Sequence, residues 1–262
     1  MEAFVVELTI ATGTTASAEH PLKRSERLQL RLFDGFELRC GQERLALPLN
    51  SQRLIALLGL RRTTTRGQAG GILWPEVSDR QASGRLRTTL WRLHRTGRAI
   101  VDCRGQLSLA AGVDVDVSTW VRGARQLLDD SGSADLPRLA AVPPVGDLLP
   151  GWYEDWVLVE RERLRQLQLH ALETASGRLL EEGRYADALD TAMRVLHLES
   201  TRESAHRAVI RVHLAEGNLG EAVRQFEACR AILERELGVG PSPLLQAMLA
   251  TAELPLGLGR NG

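Results

Sequence analysis

The 262 residues carry 33 basic and 33 acidic side chains, three cysteines and a single lysine, Lys23, on a chain long enough for two domains with separate cores. With no GK[ST] there is no Walker A loop, and the lone lysine, ahead of the first patterned segment, offers no plausible Schiff base. Cys40, Cys103 and Cys229 are too scattered for a zinc site or a disulfide framework, and no apolar run approaches the ~20 residues of a membrane span.

Residues 1–26 begin without a basic signal-peptide region and read as a flexible arm. Three short alternating stretches, 28–33, 36–40 and 44–47, are broken by the turn signals Asp34-Gly35 and Gly41-Gln42, which predicts a small antiparallel sheet. Asn50 or Ser51 can cap a helix through Leu60. Thr64 or Thr65 can cap a second one, ending before Trp74-Pro75. Its Gly67, Gly70 and Gly71 predict a weak helix, since each costs about 1 kcal/mol relative to Ala.

Residues 79–97 follow at helical period. Ala82, Leu86, Leu90 and Leu93 form one apolar stripe, and Gln81, Arg85, Thr88, Arg92 and Arg95 fall opposite it. Arginine forks can read guanine or grip phosphate, and threonine can meet a base edge. The same pattern also describes an arginine-rich solvated helix face. Residues 99–110 then predict two strands around Arg104-Gly105. Sheet, three helices and a terminal hairpin are the order of a winged helix, with Arg98 and Arg104 beside the wing.

Ser118 is a candidate cap for a helix within 114–128, and 129–147 reads as a Pro/Gly-rich linker. From Asp155 the pattern is almost wholly helical. LLEEGRYADALDTAMRVLHL (179–198) aligns with HLAEGNLGEAVRQFEACRAI (213–232), which sets Gly183 on Gly217 and Ala188 on Ala222. An offset of 34 residues is the period of tetratricopeptide helical hairpins. Trp152 and Trp156 are expected to staple the first helix of this half to its neighbours. The six histidines are scattered and read as surface or capping residues. No GxSxG or HExxH occurs, so an enzyme, a metal site and a cofactor are not expected.

Charge is sorted along the chain. From Lys23 to Arg104 there are 17 basic residues against 7 acidic, and from Asp114 to the end 16 against 23. A basic first domain tied to an acidic helical one points to nucleic acid as the partner of the first.

Several motifs resemble the Streptomyces antibiotic regulatory protein (SARP) family of transcriptional activators. In the first half these are RLFDGFELR (31–39), ILW (72–74), SGRLRTTLWRLHR (83–95) and RGQLSL (104–109), similar to an OmpR-type winged helix. In the second half, LLPGWYEDWVLVERERLR (148–165), HRAVIRVHLAEGN (206–218) and ERELGVGPSPLL (234–245) resemble the bacterial transcriptional activator domain. The expected architecture is therefore an α+β winged helix followed by an all-α tetratricopeptide-like domain. The expected boundaries are 1–26 arm, 27–112 winged helix, 113–253 helical domain and 254–262 flexible tail.

The resemblance implies binding to direct repeats in promoter DNA as a homodimer and recruitment of RNA polymerase, through its sigma and other subunits. Switching on an antibiotic or other secondary-metabolite cluster and a place in the cytoplasm on the nucleoid follow from the same resemblance. It puts Gln81, Arg85, Thr88, Arg92 and Arg95 in the major groove and Thr65 and Arg53 near phosphates. Arg98 and Arg104 would lie at the wing, and the turn Trp74, Pro75, Glu76 and Asp79 against polymerase, although Trp74 also suits a small core beneath the turn. Two positions depart from the family pattern, the glycines of the second helix and Leu107, where the wing usually has an aromatic. The competing reading is a helical-repeat adaptor whose winged helix docks protein or RNA.

Overall fold

A computed structural model describes residues 27–129 and 146–253. The sequence expectations for the arm 1–26, for most of the linker and for the tail 254–262 lie outside the described residues.

The chain opens with β1 (Leu28–Arg31), β2 (Glu37–Cys40) and β3 (Glu43–Arg44). In β1 burial alternates, with Leu28 and Leu30 inward and Gln29 and Arg31 outward, as the two-residue period of a half-buried strand requires. Leu30 pairs Leu38 in antiparallel register with β2. Asp34 and Gly35 both take positive φ, 62° and 131°, and close that hairpin as expected.

Three helices follow: α1 (Leu49–Arg61), α2 (Arg66–Leu73) and α3 (Asp79–His94). The first does not use Asn50 or Ser51 as its cap. It starts at Leu49 behind Pro48, whose ring sets φ at −58°, and Ser51 is buried in the first turn. Leu54, Ile55, Leu57 and Leu58 of α1 are fully buried at the centre of the domain. The second helix is capped by Thr65, which forms a reciprocal capping box with Gln68.

The glycines of α2 have a packing reason that their propensity hides. A Cβ on Gly70 would stand 3.3 Å from the Cβ of Ala82, so the absent side chain lets α2 and α3 cross closely. Gly67 and Gly71 face open space.

The wing is larger than expected. β5 (Val101–Asp102) and β6 (Leu107–Leu109) form the hairpin, but β6 also pairs with β4 (Thr63–Thr64), from the turn after α1. Leu107, where the resemblance predicts an aromatic, is completely buried.

β7 (Val113–Val115) then returns to the first sheet and lies parallel to β1, giving the order β3-β2-β1-β7. The expected boundary at 112 falls immediately before this strand, so the sheet and its core cross it. α4 (Asp116–Asp129) starts at Asp116, not at a Ser118 cap. The Asp116 carboxylate accepts hydrogen bonds from the backbone N–H groups of Leu32 (2.9 Å), Phe33 (3.1 Å) and Val117 (2.7 Å), which would otherwise lack partners at the end of β1 and the start of α4.

The second half is helical: α5 (Asp155–Glu181), α6 (Tyr185–Leu198), α7 (Glu203–Ala215), α8 (Leu219–Leu237) and α9 (Pro243–Glu253). Gly183 (φ 72°) and Gly217 (φ 77°) sit in the α5–α6 and α7–α8 turns, in the left-handed region that favours glycine. Ala188 and Ala222, each in the first turn of the second helix of its repeat, are completely buried. The 34-residue period therefore corresponds to two stacked helical hairpins.

The two halves share a core. Leu148, Leu149, Trp156, Val157 and Leu164 are buried in the cluster that contains Leu30, Leu54 and Leu86. Trp152 stacks on Phe36 of the first sheet at 6.2 Å and meets Trp156 edge-on at 6.3 Å. The tryptophans thus staple the start of α5 to the winged helix. His206, expected at the surface, is buried: its Nε2–H donates to Ser200 O at 2.9 Å and its Nδ1 accepts from Gln225 Nε2 at 2.7 Å. Burial pushes its pKa down and favours the neutral ring.

Gly70 and Gly71 are neighbours of equal propensity but different surroundings. Gly70→Val is expected to lower unfolding stability by about 1–3 kcal/mol through overpacking against Ala82. Gly71→Ala is expected to raise it by about 0.5–1 kcal/mol. Denaturant unfolding of the two variants checks this, and a Gly70→Val protein as stable as the parent removes the close-approach account.

Candidate nucleic-acid interface

α3 is held by Ala82, Leu86, Thr89 and Leu93, all buried, with Leu90 partly buried beside them. Its start is fixed by Ser78 and Gln81 in a capping box, with Asp79 in the first turn favourably placed against the helix dipole. Everything on the other side is exposed: Gln81, Arg85, Thr88, Arg92 and Arg95, as the sequence predicts, and also Arg80, Arg87 and Trp91.

These side chains are not equally free. Gln81 uses its amide oxygen to accept from Ser78 N (3.3 Å), so a role at a base edge requires leaving the cap. Thr88 donates its hydroxyl to Gly84 O at 3.1 Å, which leaves its methyl and lone pairs outward. Arg85 pairs with Glu76 at 2.9 Å. Arg95 lies over the ring of Trp91, 4.9 Å from its centroid. Arg80, Arg87, Arg92 and Arg95 have no acidic partner among the described residues.

The remaining sites divide. Thr65 is exposed at the N-terminus of α2, where free backbone N–H groups favour an anion. Arg66, in the first turn of the same helix, donates to Cys103 O of the wing at 3.2 Å and ties α2 to the hairpin. Arg104 projects from the wing turn with its side chain 92 % exposed. Its bond to Asp102 holds that carboxyl at about 2, well below the ordinary carboxylate value, so the pair is charged at any physiological pH.

Two arginines are placed elsewhere than the resemblance implies. Arg53 is mostly buried and forms an ion pair with Glu154 at 2.8 Å, linking α1 to the approach to α5. Its charge is spent between the two halves rather than at a phosphate. Arg98 precedes the wing, but its guanidinium turns to the first sheet, 2.6 Å from Glu43 and 2.7 Å from Cys40 Sγ. Both partners come from strands distant in sequence, which a linear reading of charge does not reveal.

In the turn between α2 and α3, Trp74 is only 3 % exposed and packs in the main core. It cannot present a surface to polymerase, which leaves Pro75, Glu76 and Asp79 as the exposed part of that turn.

Sequence reading missed Arg80, Arg87 and Trp91. Helical period puts all three on the side away from the apolar stripe, and Trp91 lies nearer the point opposite it than Arg85 or Arg92 does.

The bacterial transcriptional activator domain matches residues 104–251, more than half of the chain. Regulatory protein AfsR of Streptomyces coelicolor is 30% identical over 221 residues, covering 79% of this chain and 22% of that protein. AfsR of Streptomyces griseus is 29% identical over 227 residues, covering 78% of this chain and again 22% of the relative. The chain thus spans 22% of the length of the curated relatives it matches. Mycobacterium tuberculosis EmbR, solved in complex with a low affinity phosphopeptide, superposes with a TM-score of 0.71 at 15% identity, over 89% of this chain and 66% of that one. At that identity the likeness is one of fold. A winged helix joined to a tetratricopeptide-like helical half, and the match of that half to its domain family, lead to one conclusion: the chain belongs to the bacterial transcriptional activator domain family.

Proposed function

We propose that this protein binds promoter DNA sequence-specifically through α3, pairs on direct repeats as a homodimer, and recruits RNA polymerase to a secondary-metabolite cluster. The observation that carries the reading is a contrast in how arginine is used. In the helical half Arg163, Arg184, Arg224 and Arg230 each pair with a carboxylate three residues away, and Arg202 pairs with Glu173 across helices. On α3 Arg80, Arg87, Arg92 and Arg95 are exposed with no carboxylate to meet them among the described residues. A solvated helix face is ordinarily laced with i, i+3 and i, i+4 pairs, as the second half is. A face of uncompensated guanidinium groups on a firmly anchored helix suits a polyanion, and a helix of this diameter fits a DNA major groove.

The roles follow from freedom. Arg92 has no partner to leave and is the arginine assigned to a base edge. Arg85 and Thr88 flank it, and Gln81 joins them once its amide leaves the cap. Thr65 and the amides of α2 meet one phosphate, and Arg104 meets another from the wing. The Glu76–Arg85 pair is exposed on both sides, where such bridges contribute about 0–1 kcal/mol. Arg85 can therefore turn into the groove at small cost, which releases Glu76 toward a basic surface of polymerase. The helical half, with its stacked hairpins, is the self-association module.

Arg92→Ala is expected to weaken binding to a duplex selected from a random pool by about 1–3 kcal/mol and to relax preference at one base position. Gel-shift titration on selected and scrambled duplexes checks it; no loss on either duplex would falsify the placement of α3 in the groove. Glu76→Gln is expected to leave DNA affinity unchanged or up to about threefold higher, because a weak competing bridge is removed, while run-off transcription from the target promoter falls. If transcription and binding fall together, or transcription does not fall, the turn is not the activating surface.

A further inference from the structure

Trp91 stands apart from the other four tryptophans. Trp74 and Trp156 are buried and Trp120 and Trp152 are half-buried, whereas Trp91 is 56% exposed. Leaving so large an apolar ring in water forgoes favourable burial, and its neighbours show what could cover it. One helical turn away on either side stand Arg87 and Arg95, with Thr88 beside them, all exposed. The Arg95 guanidinium already occupies one side of the ring at 4.9 Å. Asp79, at the far N-terminal end, is the only acidic residue of α3. The patch is thus an indole framed by cations, with one ring face taken and its edge open.

We infer that Trp91 is a DNA-backbone contact that, together with Arg95, fixes how far α3 turns in the groove. The inference rests on the DNA-binding reading of α3 given above. The chemistry of a sugar–phosphate strand matches the patch part by part. Phosphate oxygens meet Arg87 and Arg95, the C–H face of a deoxyribose packs on the ring edge, and the indole N–H donates to a phosphate oxygen. The stacking also holds Arg95 in one orientation before DNA arrives, so less side-chain freedom is lost on binding. An acidic protein segment would satisfy the cations as well, but nothing in it requires the flat apolar surface of a ring beside each charge. A helix bearing four unpaired arginines favours the polymer that repeats a negative charge next to an apolar sugar.

The test uses the full chain and acrylamide quenching of tryptophan emission, with and without a duplex selected from a random pool. Trp91→Phe assigns the signal, since loss of the readily quenched emission identifies it as that of Trp91. Adding the duplex to the parent protein is expected to reduce quenching of that emission severalfold. Trp91→Ala is expected to weaken binding about three- to tenfold, equally on selected and scrambled duplexes, as loss of a cation-flanked aromatic contact to the backbone predicts. If the duplex binds and Trp91 stays fully quenchable, the inference is overturned while the DNA-binding reading survives. That holds also if Trp91 becomes shielded only when polymerase is added. Loss confined to the selected duplex would mean a base contact and overturn the backbone assignment. Failure of the parent protein to bind any duplex at low salt overturns both readings.

Discussion

The parallel pairing of β1 with β7 is the constraint on which the rest of the molecule depends. Parallel neighbours cannot be joined by a tight turn and need a long crossover. Here the crossover is the whole of β2, β3, α1, α2, α3 and the wing. Leu30 pairs Val115 across it, and the Asp116 carboxylate locks the junction by capping the ends of β1 and α4 together. The position of α3 is thus set by a strand that returns after the wing, and that strand leads directly into the helical half. Without β7, one edge of β1 would be an unpaired row of backbone groups.

The junction continues as a seam between the halves. Leu149 adopts a left-handed φ of 47°, unusual for a branched residue, and is held there from both sides. Its N–H donates to Leu32 O at 2.8 Å, and its carbonyl accepts from Arg161 at 2.5 Å. Trp152 and Trp156 fill the space against Phe36, and Arg53 and Glu154 form an ion pair alongside. A continuous apolar core resists hinge motion better than a wet interface of comparable size.

The two halves spend charge in opposite ways. In the helical half ion pairs knit turn to turn and hairpin to hairpin, as with Arg165 between Glu162 and Glu199, and Arg202 with Glu173. In the basic half Arg53 and Arg98 are each tied to a carboxylate from a remote element. On the exposed face of α3, Arg80, Arg87 and Arg92 keep their charge uncompensated among the described residues. This division explains how a chain with no net charge can hold a strongly basic surface.

Local pattern decides much of this protein. The stripe Ala82, Leu86, Leu90 and Leu93 determined the buried face of α3, because helical period alone says which residues share a side. The Asp34-Gly35 turn, the Thr65 cap and the 34-residue spacing of Gly183 and Gly217 likewise act within a few residues of themselves. Tertiary structure decided what depends on partners distant in the chain. Asp116 displaced Ser118 as the start of α4 because strand-end amides some eighty residues earlier needed an acceptor. Gly70 in α2, a liability by propensity, is a close contact once Ala82 is opposite it. Arg53, Arg98 and Trp74 left the predicted functional surface because Glu154, Glu43 and the central core claimed them. Periodicity is a property of neighbouring residues and can be read along the chain, whereas the pairing of a charge or the burial of a ring is settled only when remote segments meet.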